Sequence, residues 1–187
     1  SCYARLALHG LPERGVSLGT FLEIHGVLEK TVIDLCRGQY MDLDFRDRSP
    51  SLDEYLEMVR LKTGVLMGTA CEVGVLVARA SGQRAEARGF GETLGIGFQL
   101  RDDYLGAWGN PQEMGKAADD LKDRKWSLPI VVGGRPVGTG DSVRADVDRM
   151  IREWSRLAHV RLSEIDAPPD WVEIFLELTN GLAVRLA

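Results

Sequence analysis

The sequence predicts an all-α protein, and two observations carry that prediction. Apolar residues recur at the i, i+3, i+4 spacing of an amphipathic helix over long stretches, and no stretch alternates apolar and polar residues as a half-buried strand would. We therefore expect a first helix that begins at Leu18 and ends within residues 38–45. The apolar positions that define it are Phe21, Leu22, Leu28, Val32, Leu35 and Cys36.

Residues 46–51 form a polar break, and Ser51 followed by Glu54 has the pattern of a capping box. This pattern predicts a second helix that runs from Leu52 to about Ala80. Small residues recur along it and would let a neighbouring helix approach closely, although each glycine costs up to about 1 kcal/mol of helix propensity. The small residues are Gly64, Gly68, Ala70 and Gly74.

The remaining helices follow from similar signals. A turn at residues 81–83 precedes a helix that continues through Trp108. The glycine-rich residues 133–141 predict a flexible linker or lid on the surface, or the place of a missing segment. Helical spacing then resumes, and a proline-rich break at 167–171 precedes a last helix. We expect residues 1–187 to form a single all-α domain.

Composition argues against several classes of protein. Hydrophobic residues make up 44% of the chain and charged residues 27%, as in a soluble globular protein. Apolar runs such as residues 73–78 are too short to span a bilayer, and we expect no secretory signal. The net charge of −5 argues against nucleic acid as the main partner. The three cysteines are odd in number and lack Cys-x-x-Cys spacing, so we expect neither a zinc site nor a disulfide framework. This use of cysteine favours a protein of the reducing cytoplasm.

The stretch GFQLRDDYLGAWG, at residues 97–109, places two aspartates inside an apolar run. On a helix, Gln99 reaches Asp102 at i+3 and Asp103 at i+4, so we expect the three side chains to share one face. Carboxylate and amide oxygens at this spacing suit Mg²⁺. A solvated stretch of helix surface is the alternative, but burial among apolar neighbours without a cation would be costly.

Lysines elsewhere could supply positive charge to the same site. Lys62 and Thr63 interrupt an apolar, glycine-rich helix, and Lys116 and Lys125 flank Asp120 in a polar stretch. A single lysine that extends to the surface is the simpler interpretation of Lys62. Together with a magnesium site, however, these residues are what is needed to hold a diphosphate.

Four motifs carry a resemblance to a known family. They are GQYMDL at 38–43, KTG at 62–64, GFQLRDDYLGAWG at 97–109 and GKAADDLKDRKWSLP at 115–129. In this order and at these intervals, the sequence resembles the trans-isoprenyl diphosphate synthases, the polyprenyl synthetase family, over roughly residues 1–132. The resemblance implies an isoprenoid synthase-type helical bundle around a central cavity, here partial or truncated, in a cytoplasmic protein that forms a homodimer.

The resemblance also implies a reaction. In this family Mg²⁺ assists the ionisation of an allylic prenyl diphosphate, and the double bond of isopentenyl diphosphate attacks the resulting carbocation. Loss of a proton leaves a prenyl diphosphate of the geranylgeranyl or longer polyprenyl type. The expected cofactor is Mg²⁺ and the expected partners are the two diphosphate substrates, with no nucleic acid and no stable membrane insertion.

Matching positions acquire roles from the resemblance. The predicted metal ligands are Asp102, Asp103 and Asp120. The predicted substrate-binding residues are Lys62, Thr63, Gln39, Asp42, Lys116 and Lys125. The predicted catalytic residues are Lys62, Thr63, Gln99 and Asp102. Positive charge at these positions would stabilise the negative charge that develops on a departing diphosphate.

The sequence departs from the family pattern in three places: the region after Pro129 is shorter than the family's, and the other two departures bear on the metal sites. Gly106 stands where the second aspartate-rich motif usually has a third aspartate; we expect metal binding to survive this change, because Asp102 is the essential ligand. The first aspartate-rich motif has no counterpart in residues 1–50. This absence leads to the hypothesis that the 187 residues are part of a longer protein.

Two alternative functions stay open from the sequence. A non-catalytic subunit that modifies a partner synthase would not need the first aspartate-rich motif. A class I terpene cyclase shares the fold and also ionises prenyl diphosphates with Mg²⁺. The cyclase is less consistent with the sequence, because the second metal motif of a cyclase mixes Asn, Ser and Glu.

Overall fold

The protein is described here by a computed structural model that covers residues 10–109, 126–134 and 140–184. Its helices are α1 (Leu18–Asp44), α2 (Leu52–Val59), α3 (Val65–Val77), α4 (Arg84–Trp108), α5 (Leu128–Gly133), α6 (Asp141–Ser163) and α7 (Pro169–Val184). A π-helical turn, Arg60–Gly64, joins α2 to α3, and short 3₁₀ turns lie at Pro12–Arg14 and Ser81–Gln83. No strand occurs within these described ranges, so the all-α prediction is confirmed. None of the described helices is both long and apolar enough to cross a membrane.

Helix ends follow the local sequence signals. Ser17 caps α1 by accepting a hydrogen bond from the Thr20 amide at 3.1 Å. Before α2, the Ser51 hydroxyl accepts from the Glu54 amide at 3.2 Å, and the Glu54 carboxylate accepts from the Ser51 amide at 2.8 Å. The predicted capping box is therefore present, and it starts α2 at the expected residue.

The π-helical turn Arg60–Gly64 lies inside the segment predicted as one helix from Leu52 to about Ala80. Helical structure is continuous through this segment, but it ends at Val77 rather than Ala80. The π turn contains Lys62 and Thr63, two of the residues predicted to bind substrate. Such insertions often mark functional sites, because the extra residue re-aims the side chains around it.

Glycines let the helices beside this turn touch backbone to backbone. An added Cβ on Gly91 of α4 would lie 2.5 Å from the Met67 carbonyl oxygen and 2.7 Å from the Gly68 Cα. A Cβ on Gly95 would lie 2.8 Å from the Gly64 Cα. Of the small residues predicted to allow close helix approach, Gly64 and Gly68 lie where α4 crosses α3 and the π turn, whereas Ala70 and Gly74 are exposed.

The first residue of the π turn is also held by ion pairs. Arg60 pairs with Glu57 one turn earlier at 2.7 Å and with Glu92 of α4 at 3.4 Å. Arg88 of α4 bonds to Glu92 at 2.8 Å and to Glu72 of α3, which is only 3% exposed, at 2.6 Å. These ion pairs join the π turn and α3 to α4.

The main apolar core lies between α2, α4, α5 and α6. Its fully enclosed side chains include Phe45, Val59, Leu100, Leu128, Val147 and Ile151. Leu128 belongs to the short helix α5, so this core fixes the chain that follows residues 110–125. At one edge of this core, Tyr55, Met58 and Val59 line a cavity together with five of the polar residues predicted for the functional site, which are Asp42, Lys62, Thr63, Gln99 and Asp103.

We predict that Gly91→Ala lowers the free energy of unfolding by about 1–3 kcal/mol, because the new methyl group must displace backbone atoms of α3. Chemical denaturation followed by circular dichroism measures the change. Gly74→Ala is the matched control: it lies on α3, and a Cβ there meets nothing within 4 Å. The control should raise stability by up to about 1 kcal/mol through helix propensity. Equal effects of the two substitutions would contradict the close-contact explanation.

Candidate active site

A small cavity of about 50 Å³ lies where α1, α2, the π turn, α4 and the residues before α5 meet. Its polar lining residues are Asp42, Tyr55, Lys62, Thr63, Gln99 and Asp103. Met58, Val59 and Trp126 complete the lining. Polar residues that are up to 61 positions apart in sequence therefore converge on one pocket, and five of these six were predicted from the sequence.

The carboxylate of Asp103 is the most connected group in this cavity. It is only 9% exposed. Its Oδ2 accepts hydrogen bonds from the Tyr55 hydroxyl and from the Leu128 amide, the latter at 2.8 Å. Its Oδ1 accepts from Gln99 Nε2 at 3.0 Å. A buried carboxylate needs several donors of this kind to offset its loss of hydration.

Tyr55 is a polar cavity residue that the sequence interpretation missed. Its ring belongs to the apolar core and is 1% exposed, while its hydroxyl points at Asp103. Burial, and then the neighbouring Asp103 carboxylate, raises the pKa of Tyr55 well above its usual value, so the phenol stays protonated and donates. The available signal was spacing, since Tyr55 precedes Lys62 by seven residues, about two helical turns.

The hydrogen bonds at Asp103 continue towards the π turn. Thr63 Oγ1 donates to Gln99 Oε1 at 3.2 Å, while the amide nitrogen of Gln99 donates to Asp103. Gln99 therefore joins Thr63 to Asp103 and is fully engaged at both ends of its amide. The predicted i, i+4 contact between Gln99 and Asp103 is present.

Lys62 and Asp42 form an ion pair across the cavity. Lys62 Nζ lies 2.5 Å from Asp42 Oδ2, and the two side chains are 33% and 12% exposed. Gly38 makes this approach possible, because a Cβ there would lie 2.7 Å from the Lys62 backbone nitrogen. Lys62 thus turns into the site and does not simply extend into solvent.

Asp102 and Asp103 point in different directions, contrary to the expectation that they share one face. Asp103 is buried, whereas Asp102 is exposed. Neighbouring residues on a helix are about 100° apart, so only one of the two can follow Gln99 inward. Gln39 is also exposed and does not line the described cavity.

Three predicted site residues, Lys116, Asp120 and Lys125, lie outside the residues that the structure describes. Within the described residues, no group of three or more histidine, cysteine, aspartate or glutamate side chains is placed to hold a metal ion. The site therefore combines the buried carboxylate of Asp103, the adjacent exposed Asp102, and Lys62, which is held in an ion pair. Such a set can bind an anionic ligand with the help of a cation.

Comparison with known proteins places the chain in a family. A polyprenyl synthetase family model matches residues 5–143. The geranylgeranyl diphosphate synthase of Methanosarcina mazei is 40% identical over 113 residues, which are 59% of this chain and 35% of that relative. The (2E,6E)-farnesyl diphosphate synthase of Mycobacterium bovis is 44% identical over 100 residues, 52% of this chain and 28% of that relative. The matched part thus spans about a third of these curated relatives.

Solved structures confirm the fold. The geranylgeranyl pyrophosphate synthetase from the archaeon Geoglobus acetivorans aligns with a TM-score of 0.81 and 25% identity, over 96% of this chain and 62% of that one. The polyprenyl synthetase from Streptomyces coelicolor A3(2) aligns with a TM-score of 0.79 and 27% identity, over 96% of this chain and 64% of that one. The family match over most of the chain, the shared fold and the convergent motifs lead to one conclusion: the chain belongs to the polyprenyl synthetase family.

Proposed function

We propose that this chain acts as a trans-prenyltransferase of the geranylgeranyl or polyprenyl diphosphate synthase type. It would condense isopentenyl diphosphate with an allylic prenyl diphosphate. The observation that carries this proposal is the convergence of Lys62, Thr63, Gln99 and Asp103 on one cavity, with Asp102 on the adjoining surface. Relatives named as geranylgeranyl and farnesyl diphosphate synthases support it.

Among the described residues that line the cavity, Lys62 is the positively charged side chain that would bind the allylic diphosphate. Its ammonium group already lies in the cavity, paired with Asp42. A diphosphate oxygen that replaced one of its present contacts would form a charge-assisted hydrogen bond, which is stronger than a neutral one. Lys116 and Lys125, as the sequence predicts, would add further positive charge.

The donor chemistry of the site fits Mg²⁺. Asp102 is exposed, and no hydrogen bond or ion pair joins its side chain to another residue in the described parts of the chain. Mg²⁺ is usually held by one or two carboxylates together with substrate phosphates and water. We propose Asp102 as the first protein ligand, with Asp120 as a second. A bound Mg²⁺ would stabilise the negative charge of the departing diphosphate.

The proposed reaction needs no separate protein base. Breaking the allylic carbon–oxygen bond releases diphosphate, the isopentenyl double bond forms the new carbon–carbon bond, and the lost proton can go to the released diphosphate. The cavity side chains would hold the leaving group and keep its charge compensated during these steps. A cytoplasmic homodimer, which the family resemblance implies, completes the proposal.

An elongation assay tests the function directly. The purified chain, its intact mass recorded, is incubated with Mg²⁺, labelled isopentenyl diphosphate and farnesyl diphosphate. We expect a labelled, longer prenyl diphosphate that disappears when a chelator removes the metal. Absence of product would contradict the proposal. If Mg²⁺-dependent binding of farnesyl diphosphate persisted without product, the non-catalytic subunit would become the better interpretation.

We predict that Asp102→Ala abolishes the Mg²⁺-dependent part of diphosphate binding while the fold persists, because an exposed ligand is removed without a loss of packing. Calorimetric titration with farnesyl diphosphate, with and without Mg²⁺, measures the effect. Glu153→Ala removes an exposed carboxylate from α6 and should leave binding unchanged. Unchanged Mg²⁺-dependent affinity in Asp102→Ala would exclude this residue as a metal ligand.

We predict that Lys62→Gln weakens farnesyl diphosphate binding by about 10- to 100-fold, since a hydrogen bond to a charged group contributes ~1.5–3 kcal/mol. The matched control is Lys30→Gln, because Lys30 forms an ion pair with Asp34 at 2.6 Å but is 66% exposed on α1. The same titration should give the control wild-type affinity. A control as weak as Lys62→Gln would indicate a general charge effect and not a specific site.

A further inference from the structure

The Asp103 carboxylate joins three separate parts of the site through hydrogen bonds. Tyr55 contributes from α2, Gln99 from α4, and Leu128 from the start of α5. Through Gln99 the connection extends to Thr63 in the π turn. Both carboxylate oxygens are engaged, so the described geometry makes Asp103 an internal anchor of the protein.

We propose that Tyr55 is a positioning residue for Mg²⁺-dependent diphosphate binding, and that it acts through Asp103. The inference rests on the proposed function and adds a residue to its site. Tyr55 does not contact the exposed carboxylate of Asp102. It holds the neighbouring Asp103, and with it the turn of α4 that presents Asp102.

Burial makes this contact effective. Tyr55 is 1% exposed and Asp103 is 9% exposed, so water has little access to the hydroxyl–carboxylate hydrogen bond. A carboxylate that loses such a donor must find another or reorient. Reorientation of the Asp103 carboxylate would disturb its hydrogen bonds to Gln99 and Leu128, and would shift α4 relative to the start of α5. Removing a group that bonds directly to a metal ligand typically changes metal affinity by about 10- to 100-fold. Tyr55 acts one residue away from Asp102, so we expect an effect near the lower end of this range.

The neighbouring residue Tyr104 supplies a matched comparison. It is also a buried tyrosine, 4% exposed, and its hydroxyl accepts a hydrogen bond from Arg144 Nε at 2.8 Å. This contact joins α4 to α6 and involves none of the residues that line the cavity. Tyr104→Phe therefore removes the hydroxyl of a buried tyrosine next to Asp103 on α4, but it removes none of the described hydrogen bonds of Asp103.

The test is calorimetric titration of inorganic pyrophosphate at a series of Mg²⁺ concentrations, with the wild-type chain, Tyr55→Phe and Tyr104→Phe. Circular dichroism first establishes a temperature at which all three are folded. We expect Tyr55→Phe to raise the Mg²⁺ concentration for half-maximal pyrophosphate binding by about tenfold. Tyr104→Phe should keep the wild-type Mg²⁺ midpoint, even if its melting temperature falls as much as that of Tyr55→Phe.

A double-mutant cycle with Asp103→Asn identifies the route of the effect. If Tyr55 acts through Asp103, the double variant Tyr55→Phe/Asp103→Asn should shift the Mg²⁺ midpoint no further than the worse single variant. Additive shifts would overturn the proposal, as would a wild-type midpoint in Tyr55→Phe. A wild-type chain that binds no pyrophosphate at any Mg²⁺ concentration would overturn the proposed function, and the positioning role with it.

Discussion

The buried carboxylate of Asp103 is the constraint on which the site depends. Moving an ion of this kind out of water costs several kcal/mol even after the protein relaxes. The structure offsets this cost with donors from three elements, the Tyr55 hydroxyl, the Gln99 amide and the Leu128 backbone. None of these donors is local in sequence except Gln99. The anchored carboxylate is therefore satisfied only when α2, α4 and α5 are all in place, which links the integrity of the site to that of the fold.

Glycines at the helix contacts allow the polar groups of the site to reach one another. Gly95 brings α4 against Gly64, and the Thr63 hydroxyl then reaches Gln99. Gly38 brings α1 against the backbone of the π turn, where Asp42 meets Lys62. Because glycine has no side chain, these positions allow short distances between the helices, and those distances determine which polar groups can pair.

The sequence predicted the fold well because helix signals are local. Apolar periodicity and the capping box gave the starts of helices at Leu18 and Leu52, and the run through Trp108 appeared as one helix. The π turn was not predicted, since an inserted residue is stabilised by tertiary contacts such as Arg60 with Glu92. Tyr55 was missed for a similar reason: its spacing from Lys62 indicates only that it lies near the site, and an aromatic residue at a core position gives no sign of the distant carboxylate that its hydroxyl contacts. The shared face of Asp102 and Asp103 was wrong because a pattern of spacing does not say which neighbour turns inward.

The balance of charge around the cavity explains why the proposed ligand would need a metal. The described lining carries two carboxylates, Asp42 and Asp103, and one ammonium group, Lys62, which is already paired with Asp42. A diphosphate entering these surroundings would meet net negative charge, in a setting where burial weakens screening by water. A divalent cation at Asp102 would leave one net positive charge there, which would offset the net negative charge of the described lining. Under the proposed function, the described lining would favour a diphosphate that arrives together with its metal over the bare anion, and Lys116 and Lys125, as predicted from the sequence, would act in the same direction as the metal.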